Sequence, residues 1–198
     1  MFELTKQSEL KTANWAGGTT TQLAIFPKRA EYQKFDFDFR ISFATVEVEE
    51  STFTFMPGVT RHLMVLDGSL ELEHINRNKI VLNKFDTTTF FGEWPTKAKG
   101  KIRDFNLMTR GLTQGKLELL ELNEGETDKV LLEKQQSYMG IYLLNGKLDF
   151  NYNQQVVTLE KGDFVLMNGF TNSSFFIAAL NFCQVIVCRI TNIKQGEK

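Results

Sequence analysis

The amino-acid sequence predicts an all-β protein made of two barrel-forming halves, and three observations carry that expectation. Apolar and polar residues alternate at a period of two. Turn-forming dipeptides separate short apolar runs. Two blocks of the first half recur in the second half, in the same order and at nearly the same offset. The 198 residues are 42% hydrophobic and include 18 Phe but only 3 Pro. That is enough apolar material for a core, and aromatic rings suit the half-buried face of a sheet.

Taken in order, the elements are these. SELKTANW, residues 8–15, is the best helical candidate near the start. FDFDFRISFA, residues 35–44, puts Phe35, Phe37, Phe39, Ile41 and Phe43 on one face and Asp36, Asp38, Arg40, Ser42 and Ala44 on the other, which predicts a strand. His62–Leu72 and Ile141–Phe150 each read as two apolar runs joined by Asp67-Gly68 or Asn145-Gly146. Those dipeptides tolerate positive φ and predict hairpins. Gly146 follows Gly68 by 78 positions. VLNKFDTTTFFG (81–92) matches TLEKGDFVLMNG (158–169) at an offset of 77, pairing Leu82 with Leu159, Lys84 with Lys161, Asp86 with Asp163 and Gly92 with Gly169. Hairpins and turns recur in every β protein, but two blocks in one order favour internal duplication. The join falls near residues 111–130, giving units 1–112 and 113–198 packed as one compact body.

Composition excludes several function classes. Net charge is -1, from 23 basic and 24 acidic residues, so no basic field is available for a nucleic-acid backbone. The start, MFELTKQSELKTANW, lacks a signal-peptide pattern. No apolar run approaches the roughly 18 residues that cross a bilayer. A cytoplasmic protein without membrane or nucleic-acid partners is expected. Cys183 and Cys188 sit five positions apart in CQVIVC. In a strand they face opposite ways, so buried free thiols in a reducing compartment are the plainer reading.

The order apolar strand, x-Gly turn, strand, L-x-K-G-D and apolar strand resembles the cupin pattern, whose fold is the jelly roll or double-stranded β-helix. Two such units imply a bicupin. Typical cupins bind a metal through two His and a Glu, with a third His from a second motif. This chain has only His62 and His74. The Glu place falls close to Arg61, and the later His places fall near Pro95 and on Asn172. Neither half can assemble the usual site, so no metal or other cofactor is expected. Nucleophile elbow, P-loop and dinucleotide glycine patterns are absent as well.

Three segments are similar to the HutD family, also called HutD/Ves: Asn14–Pro27, Phe39–Gly68 and Phe90–Gly111. They carry Trp15, Gly17, Gly18, Thr19 and Thr20; Arg40, Ser42 and Ala44; Ser51, Phe53, Pro57, Gly58 and Arg61; and Asp104, Asn106, Met108 and Arg110. Gln22 stands where a Glu is common, and Thr60 where an Asp is usual. The resemblance implies a bicupin that binds a small anionic metabolite, with formylglutamate or another histidine-degradation intermediate as the family-suggested example, in a regulatory role.

The residues themselves agree with a site. Asp104, Asn106, Met108 and Arg110 alternate, so a strand places them on one face, as it does Arg40 and Ser42. The Arg fork matches a carboxylate. The candidate ligand-binding set is Thr20, Gln22, Arg40, Ser42, Arg61, Asp104, Asn106 and Arg110, with no residue assigned to catalysis. Three alternatives stay open. Arg40 and Asp104 pair as a structural brace. Asp104 serves as acid or base in a metal-free isomerase or hydrolase acting on a small acid. The chain is a dimerisation module whose edge strands form a homodimer. Trp15 and Met108 read as packing, and Gly17, Gly18, Pro57 and Gly58 as turns.

Overall fold

The computed structural model describes residues 1–133, 136–170 and 174–192. Among these there are strands and two short 3-10 turns but no α-helix, and so no helix long and apolar enough to cross a membrane. The strands are β1 (Phe2–Thr5), β2 (Lys11–Trp15), β3 (Gly18–Phe26), β4 (Phe39–Val46), β5 (Glu50–Thr52), β6 (Val59–Asp67), β7 (Leu70–His74), β8 (Asn78–Leu82), β9 (Thr87–Phe91), β10 (Thr96–Lys99), β11 (Ile102–Arg110), β12 (Gln114–Leu122), β13 (Thr127–Leu131), β14 (Tyr138–Asn145), β15 (Lys147–Tyr152), β16 (Gln155–Glu160), β17 (Phe164–Asn168), β18 (Ser174–Ala179) and β19 (Cys183–Thr191).

The chain divides into a first unit, Lys11–Leu117, and a second unit, Met1–Leu10 with Glu118–Lys198. The expected boundary kept residues 1–10 in the first half. Strand β1 instead runs antiparallel to β17, with Phe2 opposite Met167. In the first unit the sheets have the orders β2-β3-β4-β11-β6-β9 and β5-β10-β7-β8. In the second they are β1-β17-β14-β19-β12 and β13-β18-β15-β16. The runs β4-β11-β6-β9 and β12-β19-β14-β17 follow one pattern, as do the two four-stranded sheets. Closed barrels were the expectation, but hydrogen bonding leaves four separate open sheets.

The x-Gly turns differ from the expectation. Asp67-Gly68 and Asn145-Gly146 do not join paired strands; each carries the chain from one sheet to the other. Gly68 and Gly146 have φ of 84° and 97°. A Cβ at Gly68 would lie 2.6 Å from the Lys101 carbonyl oxygen, and one at Gly146 would lie 2.4 Å from that of Phe182. Positive φ and close approach therefore both require glycine. The true hairpins are β7–β8 and β15–β16. Asn76, Asn153 and Gln154 supply their left-handed residues, at φ of 62°, 53° and 65°.

The matched L-x-K-x-D blocks share one geometry. The Asp86 carboxylate accepts from the Asn83 backbone N–H at 2.8 Å, and Asp163 accepts from Glu160 at 2.9 Å. Beside them, the N–H of Phe85 donates to Val65 at 2.7 Å and that of Gly162 donates to Leu143 at 2.8 Å.

Two further expectations change. SELKTANW is not a helix: Gln7–Glu9 is a 3-10 turn and Lys11–Trp15 is β2. The Phe-rich strand begins at Phe39 rather than Phe35, because a 3-10 turn at Tyr32–Lys34 ends on Phe35 in the left-handed region. Both faces of β4 are then buried at its start: Phe39 and Ile41 on one, Arg40 and Ser42 on the other. In the second unit Met139, Ile141, Leu143, Phe150, Val185 and Val187 belong to one continuous apolar core. Each large side chain so buried contributes about 1.5–3 kcal/mol. The first unit holds smaller clusters, among them one around Leu63, Val65, Leu70 and Ile102 and another around Phe37, Met56, Val59 and Met108. Cys183 and Cys188 are free and buried.

Candidate ligand-binding cavity

Between those two clusters the first unit holds a half-open cavity of about 770 Å³, within the range of small-molecule sites. Antiparallel register builds its wall. Residues opposite one another across a ladder share a face. Gln22 lies opposite Ser42 and Thr20 opposite Ala44. Ser42 lies opposite Asn106, Ala44 opposite Asp104, and Arg40 opposite Met108. Met108 in turn lies opposite Arg61. Thr20, Gln22, Arg40, Ser42, Arg61, Asp104 and Asn106 therefore all line one cavity. Arg110 does not join them. It is the exposed last residue of β11, beyond the cavity lining.

The two guanidinium groups are held differently. Arg40 Nε donates to Gln22 Oε1 at 2.9 Å and its Nη1 donates to Ser42 Oγ at 3.0 Å. The Tyr32 ring lies 4.2 Å from its Cζ. Arg61 Nη2 donates to the Thr54 carbonyl and to Met56 Sδ, each at 3.1 Å, and the Phe53 ring covers it at 4.9 Å. An aromatic ring thus fixes each guanidinium plane. Neither Arg makes an ion pair with Asp104, so the brace alternative is not what the geometry shows. Burial pushes both below the ordinary Arg value, while the Tyr32 phenol favours their charged forms.

Asp104 and Asn106 form a linked pair in which Asn106 Nδ2 donates to Asp104 Oδ2 at 2.6 Å. Asp104 is 4% exposed. Burial lifts its carboxyl to about 6, against the opposing pull of Asn106, the Arg61 charge and its own backbone N–H. Three residues that line the cavity each keep one buried polar atom without a hydrogen-bond partner: Arg61 Nε, Asp104 Oδ1 and Asn106 Oδ1. An unsatisfied buried polar atom costs on the order of 1–3 kcal/mol. These unsatisfied groups therefore sit in the wall of a space large enough to hold a small ligand.

Tyr32 and Phe53 complete the site without alternation to mark them. Tyr32 lies in the 3-10 turn between β3 and β4, and Phe53 just after β5. Both histidines are packing residues. His62 points away from Arg61 and meets Thr89 at 3.1 Å and Thr109 at 3.4 Å; burial lowers it to about 4. His74 packs against Phe90 and Trp94, with ring centroids 4.8 and 5.3 Å away. Its Nδ1 lies 2.8 Å from Thr96 Oγ1. That hydroxyl donates to the Trp94 carbonyl, so His74 Nδ1 carries the proton. Asn172, the other metal-motif position, lies outside the described residues.

Solved structures share this architecture. A conserved protein of unknown function from Pseudomonas aeruginosa, PA5104, is 18% identical, with 97% of this chain and 100% of that one covered and a TM-score of 0.82. HutD from Pseudomonas fluorescens is 16% identical over 96% and 98%, with a TM-score of 0.72. The Escherichia coli pirin YhhW, in complex with nickel(II), is 12% identical over 98% and 100%, also at 0.72. At these identities the likeness shows the fold alone, which is cupin-like. The metal of such folds does not fit this cavity. Its lining presents Arg40, Arg61 and Lys11 beside Glu31 and Asp104, with no His or Cys, a set that lacks the ligands of such a metal. Among the described residues, no three His, Cys, Asp or Glu side chains converge as metal ligands. A search of curated proteins finds no match. The HutD family model, however, matches residues 7–182, and the chain belongs to the HutD family.

Proposed function

We propose that this chain is a metal-independent bicupin, built by internal duplication, that binds a small carboxylate-bearing metabolite in the cavity of its first unit. One observation carries the binding reading: two buried guanidinium groups face one cavity without a carboxylate partner, and Arg61 Nε has no acceptor. A carboxylate matches the Arg fork, and an adjacent N–H on the ligand matches the free oxygen of Asn106. Formylglutamate, suggested by the family resemblance, has both features. The regulatory role follows from the same resemblance. The repeated strand order and the shared turn geometry at Asp86 and Asp163 support duplication.

Calorimetric titration with N-formyl-L-glutamate tests the reading. Wild type binds. Arg61→Met weakens binding about 10–100-fold, because a charge-assisted hydrogen bond contributes roughly 1.5–3 kcal/mol. Equal binding by the two proteins contradicts the assignment. A second reading rests on Asp104, whose burial and raised pKa suit an acid or base. Turnover of a small acid that disappears in Asp104→Asn supports an enzyme; turnover that persists removes Asp104 from that role.

A further inference from the structure

We propose that Asp104 meets the anion in its neutral, protonated form, so that filling the cavity takes up one proton from solvent. The inference rests on the carboxylate-binding reading above and adds the protonation state in which the site recognises its ligand.

First, an anion that reaches Arg61 Nε shares the cavity with Asp104, because both side chains line it. Two negative charges close together in one cavity disfavour each other. Second, no cation contacts Asp104, and the Arg61 charge, which favours the ionised form through space, does not outweigh the effect of burial. The charged or titratable groups facing the cavity are Arg40 on β4, Arg61 on β6, Lys11 on β2, and Glu31 and Tyr32 on the β3–β4 connection. None makes an ion pair or hydrogen bond with the Asp104 carboxyl, whose partner is the neutral Asn106 amide. Across the cavity, β5, β7 and β10 contribute Ser51, Thr52, Leu70 and Ala98, none of them charged. Third, Asp104 Oδ1 has no partner. As a carboxylate oxygen it repels the arriving anion. As a hydroxyl it donates a hydrogen bond to it, adding a second donor beside Arg61 Nε.

The raised value of this carboxyl agrees, since little free energy is needed to protonate it near neutrality. The proton comes from solvent or buffer, goes to Asp104 Oδ1, and leaves with the ligand. No other bond changes.

Buffer-dependent calorimetry tests this. The full chain is titrated with N-formyl-L-glutamate at pH 6 and pH 8, in buffers of low and high ionisation enthalpy. The ligand's carboxyls stay ionised across this range. At pH 8 the expected uptake is close to one proton per ligand bound. With a carboxyl at about 6, affinity falls about fiftyfold from pH 6 to pH 8. Asp104→Asn, which carries a permanent donor, loses the uptake and binds more tightly than wild type at pH 8. Wild-type binding without proton uptake overturns the inference and leaves carboxylate binding standing. No binding at either pH overturns both. The wild-type measurement is decisive even if the variant fails to fold.

Discussion

The two units differ most where their strand orders coincide. On β11, Asp104, Asn106 and Met108 lie opposite Val65, Leu63 and Arg61 of β6. On β19, Val185, Val187 and Arg189 lie opposite Leu143, Ile141 and Met139 of β14. The places of Asp104, Asn106 and Arg61 are thus taken by Val185, Val187 and Met139, which are buried in the second unit's apolar core. One frame closes around a core in the second unit and surrounds a polar cavity in the first. The arginines make the same point. Arg189 Nε donates to Glu118 at 2.7 Å and its Nη1 to the Leu131 carbonyl at the same distance. Arg40 and Arg61 have no acidic partner. A committed arginine braces; an uncommitted pair facing a cavity is available to a ligand.

The largest expected effect comes from imposing the first unit's chemistry on the second. Val185→Asp places a carboxylate in a filled core with neither cavity nor cation. A loss above about 4 kcal/mol is expected by chemical denaturation, and a loss below about 1 kcal/mol would mean the second interior is not the closed core described. The reverse exchange is smaller. Arg61→Met puts the second unit's residue into the first, and its stability in the absence of ligand should be unchanged or up to about 3 kcal/mol higher, since apolar replacement relieves a buried charge. Marked destabilisation would make Arg61 a structural brace.

A third comparison sets the two faces of one sheet against each other through pH. Asp104, raised to about 6, contributes stability that is present below its unfolded value near 4 and lost as pH rises through 6. His62, lowered to about 4, contributes stability that is present above 6.5 and lost as pH falls through 4. Denaturation between pH 4 and pH 7 should show wild type losing about 2–3 kcal/mol relative to Asp104→Asn as pH rises. Relative to His62→Gln it should gain a similar amount. Slopes of the same sign would contradict the placement of one of these groups.

Much of this was legible in the sequence, for identifiable reasons. Period-two alternation marked β4 and β11, and it placed Arg40 with Ser42 and Asp104 with Asn106. The blocks around Asp86 and Asp163 recur because both turns need a side chain to accept a backbone N–H. Three things were not legible. A glycine with positive φ looks the same whether it closes a hairpin or turns a corner between sheets, so Gly68 and Gly146 were placed in the wrong kind of turn. Alternation names two faces but not which one borders a cavity, and on β4 both are buried. It also carried Arg110 into the site, although β11 has left the cavity by its last residue. Tyr32 was missed because a 3-10 turn has no strand period. It reaches Arg40 only through the tertiary fold.

The central claim is that a carboxylate ligand engages Arg40 and Arg61 and leaves the second unit untouched. The most direct measurement is a side-chain Nε–H spectrum of nitrogen-labelled protein, with arginine signals assigned by substitution, during titration with N-formyl-L-glutamate. The Arg40 and Arg61 signals should move together and saturate while that of Arg189 stays in place. Movement of Arg189, or stationary Arg40 and Arg61 signals at saturating ligand, would contradict it.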